Sequence, residues 1–152
     1  MKIIGRDIVS AVIISKDGKV FLAKKNSSGV YSNCWHIPGG GIDEGETKEQ
    51  ALIREMQEEI SLDVSKYNLN EIGLPEEAKF GEAEKILKTG ERVLAKMHFF
   101  VYLINIFDKS SGEIKLNIND EFLEYIWAGK KEIKKFKLAP PTVLLFKHLG
   151  YL

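Results

Sequence analysis

Two apolar segments close to the amino terminus predict a β-hairpin. Residues 8–15 and 20–25 are short apolar runs, and the first is rich in β-branched side chains. The dipeptide Asp17-Gly18 between them is typical of a hairpin turn, because glycine tolerates a positive φ. Both runs are more continuously apolar than alternating, so we expect other parts of the chain to cover both faces of this hairpin.

The rest of the pattern predicts helices interleaved with strands. Thr47 and Gln50 have the spacing of a capping box at the start of a helix, and the residues up to Ile60 are compatible with that helix. Further segments follow: a long strand at 97–107, shorter strands at 116–118 and 122–127, a short helix at 130–136 and a last helix at 141–149. This order is typical of a layered domain of the α/β or α+β class.

Composition places the chain among ordinary globular proteins. It has 152 residues, of which 44% are hydrophobic and 29% charged, which predicts one domain over residues 1–152 and excludes a disordered chain. With 22 basic and 22 acidic residues the net charge is zero, which argues against a nucleic-acid partner. The lack of any long apolar run predicts a cytoplasmic protein without membrane contact, and the single cysteine, Cys34, excludes an intramolecular disulfide. A monomer and a homodimer both stay open as the oligomeric state.

Three glutamates on the predicted helix lie side by side. At 100° per residue, Glu58, Glu55 and Glu59 point to about −60°, 0° and +40° around the axis. An apolar stripe follows at about 60° to 160°, formed by Leu52, Ile53, Met56 and Ile60. The carboxylates therefore flank one edge of the surface that faces the core.

This arrangement is unfavourable for an isolated helix. Each pair of like charges three or four residues apart destabilises a helix by about 0.2–0.5 kcal/mol, and negative charge near the carboxyl end opposes the helix dipole. Clustered carboxylate oxygens suit Mg²⁺ or Mn²⁺, whose binding would remove the conflict. A solvated acidic face is the alternative interpretation of these glutamates taken alone.

The spacing of the surrounding residues resembles the Nudix box. Residues 40–62 contain Gly40-x5-Glu46-x7-Arg54-Glu55-Met56-x-Glu58-Glu59-x-Ser61-Leu62, which is similar to the family pattern at every charged position. The lead-in Trp35-x-Ile37-Pro38-Gly39 is also similar to that of the family. One position departs, because Ser61 stands where the family has a glycine that ends the helix.

The resemblance implies a Nudix fold, a mixed β-sheet sandwiched between helices. It implies that Glu55, Glu58, Glu59 and the backbone carbonyl of Gly40 bind Mg²⁺, for which Mn²⁺ can substitute, and that Arg54 orients the carboxylates with Glu46 as its partner. The family often supplies a general base ahead of a late tryptophan. Glu121, six residues before Trp127, is the candidate here, with Asp120, Glu124 and Glu55 as alternatives.

The implied activity is cleavage of a diphosphate bond in a nucleotide. The short chain favours a nucleoside triphosphate, canonical or oxidised, hydrolysed to the monophosphate and pyrophosphate. ADP-ribose, sugar nucleotides and dinucleoside polyphosphates stay open as substrates, and residues 72–96 are expected to shape the pocket. A non-catalytic nucleotide sensor is the alternative from another class, and an isoprenoid isomerase is disfavoured because it needs further histidines and a cysteine. The glycines at 39–41 lack the lysine of a P-loop, and His36 beside them is a weaker candidate for a phosphate contact.

Overall fold

The computed structural model describes residues 1–26 and 31–152. The centre of the polar segment at 26–33, which the sequence predicts to be a surface loop, therefore lies outside the described residues. The helices are α1 (Lys48–Ile60), α2 (Glu76–Lys79) and α3 (Pro140–His148). The strands are β1 (Lys2–Ser15), β2 (Lys19–Lys25), β3 (Trp35–His36), β4 (Gly39–Gly41), β5 (Asn70–Glu71), β6 (Phe80–Ile86), β7 (Arg92–Ile106) and β8 (Phe122–Gly129).

The strands of the described residues form one mixed sheet. β1 and β7 run parallel along their whole length, from Lys2 opposite Val93 to Ser15 opposite Ile106. The other pairings are antiparallel: β2 and β4 with β1, β3 and β8 with β2, and β5 and β6 with β7. The predicted hairpin of β1 and β2 is confirmed, with Gly18 at φ 80° in its turn.

Helices pack against both faces of this sheet. On one face, the buried side of α1, including Leu52 and Met56, meets Val9 and Phe21. On the other face, Leu145 and Phe146 of α3 pack with further residues of the same strands. The predicted sheet between helices is therefore confirmed, and the continuous apolar runs of β1 and β2 are explained by burial on both sides.

Two local predictions are wrong. Residues 116–118 form no strand, because the amides of this segment bond the end of α1 instead: Asn117 N–H donates to the Ile60 carbonyl and Asn119 N–H to that of Glu59. Residues 130–136 form only a short 3-10 turn at Ile133–Lys135, which a turn at 130–132 separates from the end of β8. In the first case, carbonyls that the helix itself leaves unsatisfied recruit a distant segment.

The strand pattern missed β3, β4, β5 and β6. β4 consists of three glycines, which have low strand propensity, and it exists because Val9 and Ser10 of β1 pair with Gly40 and Gly39. β6 alternates between exposed and half-buried positions, but its exposed side carries both charged and large apolar residues and so hides the period of two. None of the helices in the described ranges is long and apolar enough to cross a membrane.

Candidate active site

Local sequence signals set the position of helix α1. The Thr47 side chain accepts from Gln50 N–H at 3.1 Å, and the Gln50 side chain accepts from Thr47 N–H at 2.9 Å, so the predicted capping box is confirmed. The apolar side of the helix is buried against the sheet at Ala51, Leu52, Met56 and Ile60. Glu55 and Glu59 are consequently directed towards the glycines of β4.

The departure from the family pattern lies at the end of this helix. Ser61 has φ 57° and ψ 36°, the left-handed conformation that glycine adopts most easily. Its N–H donates to the Gln57 carbonyl and that of Leu62 to the Met56 carbonyl. The helix therefore ends as it would with glycine, and the serine bears the conformational strain.

Arg54 connects the acidic residues of the site. Its Nε and Nη2 atoms donate to the two Glu46 oxygens at 2.7 and 2.8 Å, and Nη2 also donates to the Gly41 carbonyl at 2.9 Å. Nη1 donates to Glu55 at 2.8 Å and to Glu58 at 3.2 Å. Hydrogen bonds from Arg54 and from the Asp43 amide lower the pKa of Glu46 to about 2. The guanidinium thus ties the glycine strand, the loop before α1 and two carboxylates together.

Glu59 is the buried acid of the site. It is 3% exposed, and its Oε1 accepts from Gly39 N–H at 2.8 Å. Burial, followed by the hydrogen bond and charge of Glu121 and the charge of Glu55, raises the pKa of Glu59 to about 9. Carboxyl groups that crowd so closely favour a proton or a cation between them.

Glu55 lies directly against Gly40. A side-chain carbon built on Gly40 would lie 2.6 Å from Glu55 Oε1, so only glycine leaves room for this carboxylate. Burial raises the pKa of Glu55, the Arg54 hydrogen bond and charge oppose that rise, and the Glu58 and Glu121 charges add to it. The Gly40 backbone and the Glu55 carboxylate are therefore in close contact.

Among the remaining candidate acids, Glu121 lies at the pocket, whereas Glu58, Glu124 and Asp120 lie outside it. Glu121, at the turn before β8, lines the same pocket as Glu55 and Gly40 and reaches Glu59. Glu58 lies to one side, where its side chain is 57% exposed and contacts Arg54. Glu124 points from β8 into solvent and Asp120 is exposed, and neither lines the pocket. Of the three acids considered near Trp127, only Glu121 adjoins the helix carboxylates.

A pocket of about 600 Å³ opens beside these carboxylates. This volume is typical of a site for a small-molecule ligand. One part of its wall is apolar, formed by Ile8, Ile37, Leu74, Ala78, Met97, Phe99, Val101, Pro141 and Leu145. Leu74, Ala78, Ala83 and Lys85 also line it, so the expectation that residues 72–96 shape the pocket is confirmed for the part from 74 to 85.

The sequence analysis missed basic residues in the same wall. Arg6, Lys25 and Lys85 come from three different strands and line the pocket. The sequence gives little sign of them, since each is a single basic residue within or at the end of a strand segment. His36 also lines the pocket, and its Nε2 is buried without a hydrogen-bond partner among residues 1–26 and 31–152.

The oxygen atoms gathered here fit a divalent cation. Carboxylates and a backbone carbonyl are the donors that Mg²⁺ and Mn²⁺ prefer, and a bound cation would relieve the crowding of Glu55, Glu59 and Glu121. In the part of the chain that is described, no three acidic, histidine or cysteine side chains stand in a ready-made coordinating group. Arg54 occupies only one oxygen of Glu55 and one of Glu58, Oε1 and Oε2 respectively, so the second oxygen of each carboxylate is left for a cation.

The family model of the NUDIX domain matches residues 5–149. The chain belongs to the NUDIX family. The acids around Arg54 are therefore the carboxylates of a NUDIX box, and the resemblance that the sequence indicates is confirmed.

Similar proteins agree with this membership. The nucleoside triphosphatase NudI of Enterobacter sp. (strain 638) is 30% identical over 92% of this chain and 94% of its own length. The 8-oxo-dGTP diphosphatase of Proteus vulgaris is 42% identical, but over 41% of this chain and 55% of its own length. The crystal structure of a MutT protein from Methanosarcina mazei Go1 superimposes with a TM-score of 0.67 at 19% identity, covering 99% of this chain and 96% of that one. This last similarity shows the NUDIX fold.

Proposed function

We propose that this NUDIX protein is a divalent-cation-dependent pyrophosphohydrolase that converts nucleoside triphosphates, canonical or oxidised, to the monophosphate and pyrophosphate. The observation that carries the proposal is the meeting of Glu55, Glu59, Glu121 and Gly40 at the edge of a nucleotide-sized pocket. The printed names of the NudI and Proteus vulgaris relatives support the triphosphate substrate.

The proposed cation site consists of Glu55, Glu58, Glu59 and the Gly40 carbonyl. When bound there, Mg²⁺ or Mn²⁺ would supply Lewis-acid stabilisation of the charge on the phosphate groups. Glu59 is held by the Gly39 amide, and Arg54 orients Glu55 and Glu58 through Nη1. The exposed Glu58 is the ligand with most freedom to rotate towards the cation.

Glu121 is the proposed general base. Its carboxylate lines the pocket beside Glu55, so it can accept the proton of a water that attacks phosphorus. The replacement Glu121→Gln tests this role, and Glu124→Gln is the matched control because Glu124 is a solvent-exposed glutamate three residues along the same chain segment. We expect a loss of about 10²–10⁴-fold in kcat for Glu121→Gln and none for the control. Equal activity of the two variants would contradict the assignment.

A substrate panel tests the reaction itself. The panel contains canonical and 8-oxo nucleoside triphosphates, ADP-ribose, a sugar nucleotide and diadenosine tetraphosphate, each with Mg²⁺ or Mn²⁺. Glu58→Gln is the inactive reference, because it removes an exposed ligand and reduces charge repulsion on α1. We expect monophosphate and pyrophosphate from a triphosphate, and cleavage of ADP-ribose alone would contradict the substrate class. Four further expectations stay predictions: a location in the cytoplasm, one domain over 1–152, a monomeric or homodimeric state, and the lack of a nucleic-acid partner.

A further inference from the structure

Three cations converge on the pocket from separate strands. Half-buried positions alternate along the first part of β1, which directs Arg6 inward between Ile4 and Ile8. The same alternation in β6 directs Lys85 inward, on the face shared with Gly81 and Ala83. Lys25 reaches the pocket from the end of β2.

Arg6 lies next to the glycines of the carboxylate centre. A side-chain carbon built on Gly41 would lie 2.9 Å from Arg6 Cζ and would overlap with its Nη2 atom. The guanidinium therefore fills the space over Gly41, one residue from the Gly40 carbonyl. Because successive residues of a strand point to opposite faces, Arg6 and Glu55 lie on opposite faces of β4, and both line the pocket.

These cations have no acidic partner of their own in the described ranges. The ion pairs found there involve other lysines and arginines, and Arg6, Lys25 and Lys85 take part in none of them. Burial lowers the pKa of Lys85, and the charges of Arg6 and Lys25 lower it further while Glu121 opposes them. Lys85 is thus close enough to Arg6 and to Lys25 to be repelled by both, and a bound anion would relieve that repulsion.

We propose that Arg6 and Lys85, assisted by Lys25, bind the phosphate groups of the substrate that extend away from the carboxylate centre, so that the pocket prefers triphosphates to shorter phosphate chains. This inference rests on the proposed function, since it names the part of the substrate that these residues recognise. A polyphosphate carries several negative charges that carboxylates repel, and arginine with lysine supplies the donors that phosphate oxygens accept.

Binding of a phosphate chain without any cation tests the site independently of catalysis. Isothermal titration calorimetry in EDTA measures the binding of inorganic tripolyphosphate and of orthophosphate at constant ionic strength. We expect tripolyphosphate to bind more tightly than orthophosphate, and we expect Arg6→Gln and Lys85→Gln each to weaken it by about tenfold. Lys88→Gln, an equal charge change on the exposed turn after β6, is the control and should bind as the wild type does.

Kinetics identifies which part of the substrate the cations contact. We expect the KM for a nucleoside triphosphate to rise about tenfold in Arg6→Gln and Lys85→Gln, with a smaller rise for the diphosphate of the same nucleoside. Arg6→Lys, which keeps the charge, should recover part of the affinity, and circular dichroism verifies that each variant is folded.

Three results would overturn the inference. These are unchanged tripolyphosphate binding in folded Arg6→Gln and Lys85→Gln, equal affinity of the wild type for orthophosphate and tripolyphosphate, and altered discrimination between bases at constant phosphate number. The proposed function can fail separately. If the wild type binds tripolyphosphate through Arg6 and Lys85 but hydrolyses no triphosphate, the proposed function is contradicted and the anion site is still supported.

Discussion

Arg54 and Glu46 form a two-point ion pair at the centre of the site. Nε and Nη2 donate to separate Glu46 oxygens at 2.7 and 2.8 Å, and Nη1 on the opposite side of the same guanidinium contacts Glu55. Because the guanidinium is planar and rigid, the loop position of Glu46 determines the direction in which Glu55 is held. The ion pair therefore orients Glu55, although Arg54 and Glu46 are not themselves proposed cation ligands.

Arg54→Lys should reduce activity without unfolding the helix. Lysine has a helix propensity close to that of arginine, but its single ammonium cannot contact Glu46, Glu55 and the Gly41 carbonyl together. We expect kcat/KM to fall by about 10–100-fold, as for other residues that orient metal ligands. The control is Arg92→Lys at the exposed start of β7, which keeps its charge beside Glu84. Wild-type activity in Arg54→Lys would show that orientation by Arg54 is dispensable.

Replacing Gly40 by alanine should lower activity, whereas replacing the neighbouring Gly39 should lower stability. In Gly40→Ala the new carbon meets the mobile end of Glu55, so the protein should fold while the carboxylate is displaced. We expect about 100-fold lower activity, the size of effect that a displacement of about 1 Å produces. In Gly39→Ala the new carbon lies 2.7 Å from Ser10 Cα and 2.5 Å from Ser10 Cβ, so the pairing of β4 with β1 must shift.

Thermal unfolding and activity assays separate these two effects. Gly39→Ala should lower the free energy of unfolding by about 1–3 kcal/mol, as overpacking typically does, whereas Gly40→Ala should unfold near the wild-type temperature. A fully active Gly40→Ala enzyme would argue against Glu55 as a ligand, and an equal loss of stability in both variants would contradict the distinction between side-chain and backbone contacts.

His36 should make the protein less stable at acidic pH. Burial and the charge of Lys25 lower the pKa of His36 from 6.5 to about 4, although a hydrogen bond to the Tyr31 backbone opposes this. The native state therefore binds fewer protons at this site than the unfolded state between those two values. The free energy of unfolding should fall by about 3 kcal/mol as the pH drops from 7 to 4.

Urea unfolding at several pH values measures this contribution. His36→Gln should show a shallower loss of stability below pH 6.5, because a glutamine takes up no proton. His148→Gln on the exposed side of α3 serves as the control, since its environment is not buried. If His36→Gln and the wild type lose stability in parallel, the buried histidine does not cause the acid sensitivity.

Ser61→Gly should stabilise the protein. The left-handed conformation at φ 57° is unfavourable for serine by about 1–2 kcal/mol, and the greater freedom of glycine in the unfolded chain offsets part of the gain. We expect the free energy of unfolding to rise by about 0.5–1 kcal/mol. Ser32→Gly, at a turn residue with a negative φ, should bring no such gain. Lower stability of Ser61→Gly would show that the serine side chain has a compensating contact.

Features that depend on nearby residues were predictable from the sequence. The hairpin turn at Gly18, the capping box of α1 and the common direction of Glu55 and Glu59 each follow from spacings of a few residues. The spacing of the box was also sufficient to recognise the NUDIX family. Such features are readable because turn geometry, capping and the helical period act over at most a few turns of chain.

Features that depend on distant segments were decided by the tertiary structure. The glycines of β4 form a strand only because β1 lies beside them, and residues 116–118 are a loop only because the end of α1 takes their amides. Glu121 reaches Glu59, and Arg6 and Lys85 meet at the pocket, because separate strands bring them there. The amino-acid sequence by itself determined the helix that carries the carboxylates, whereas packing of the mixed sheet decided which other charges face them, since strand pairing joins residues that no local pattern relates.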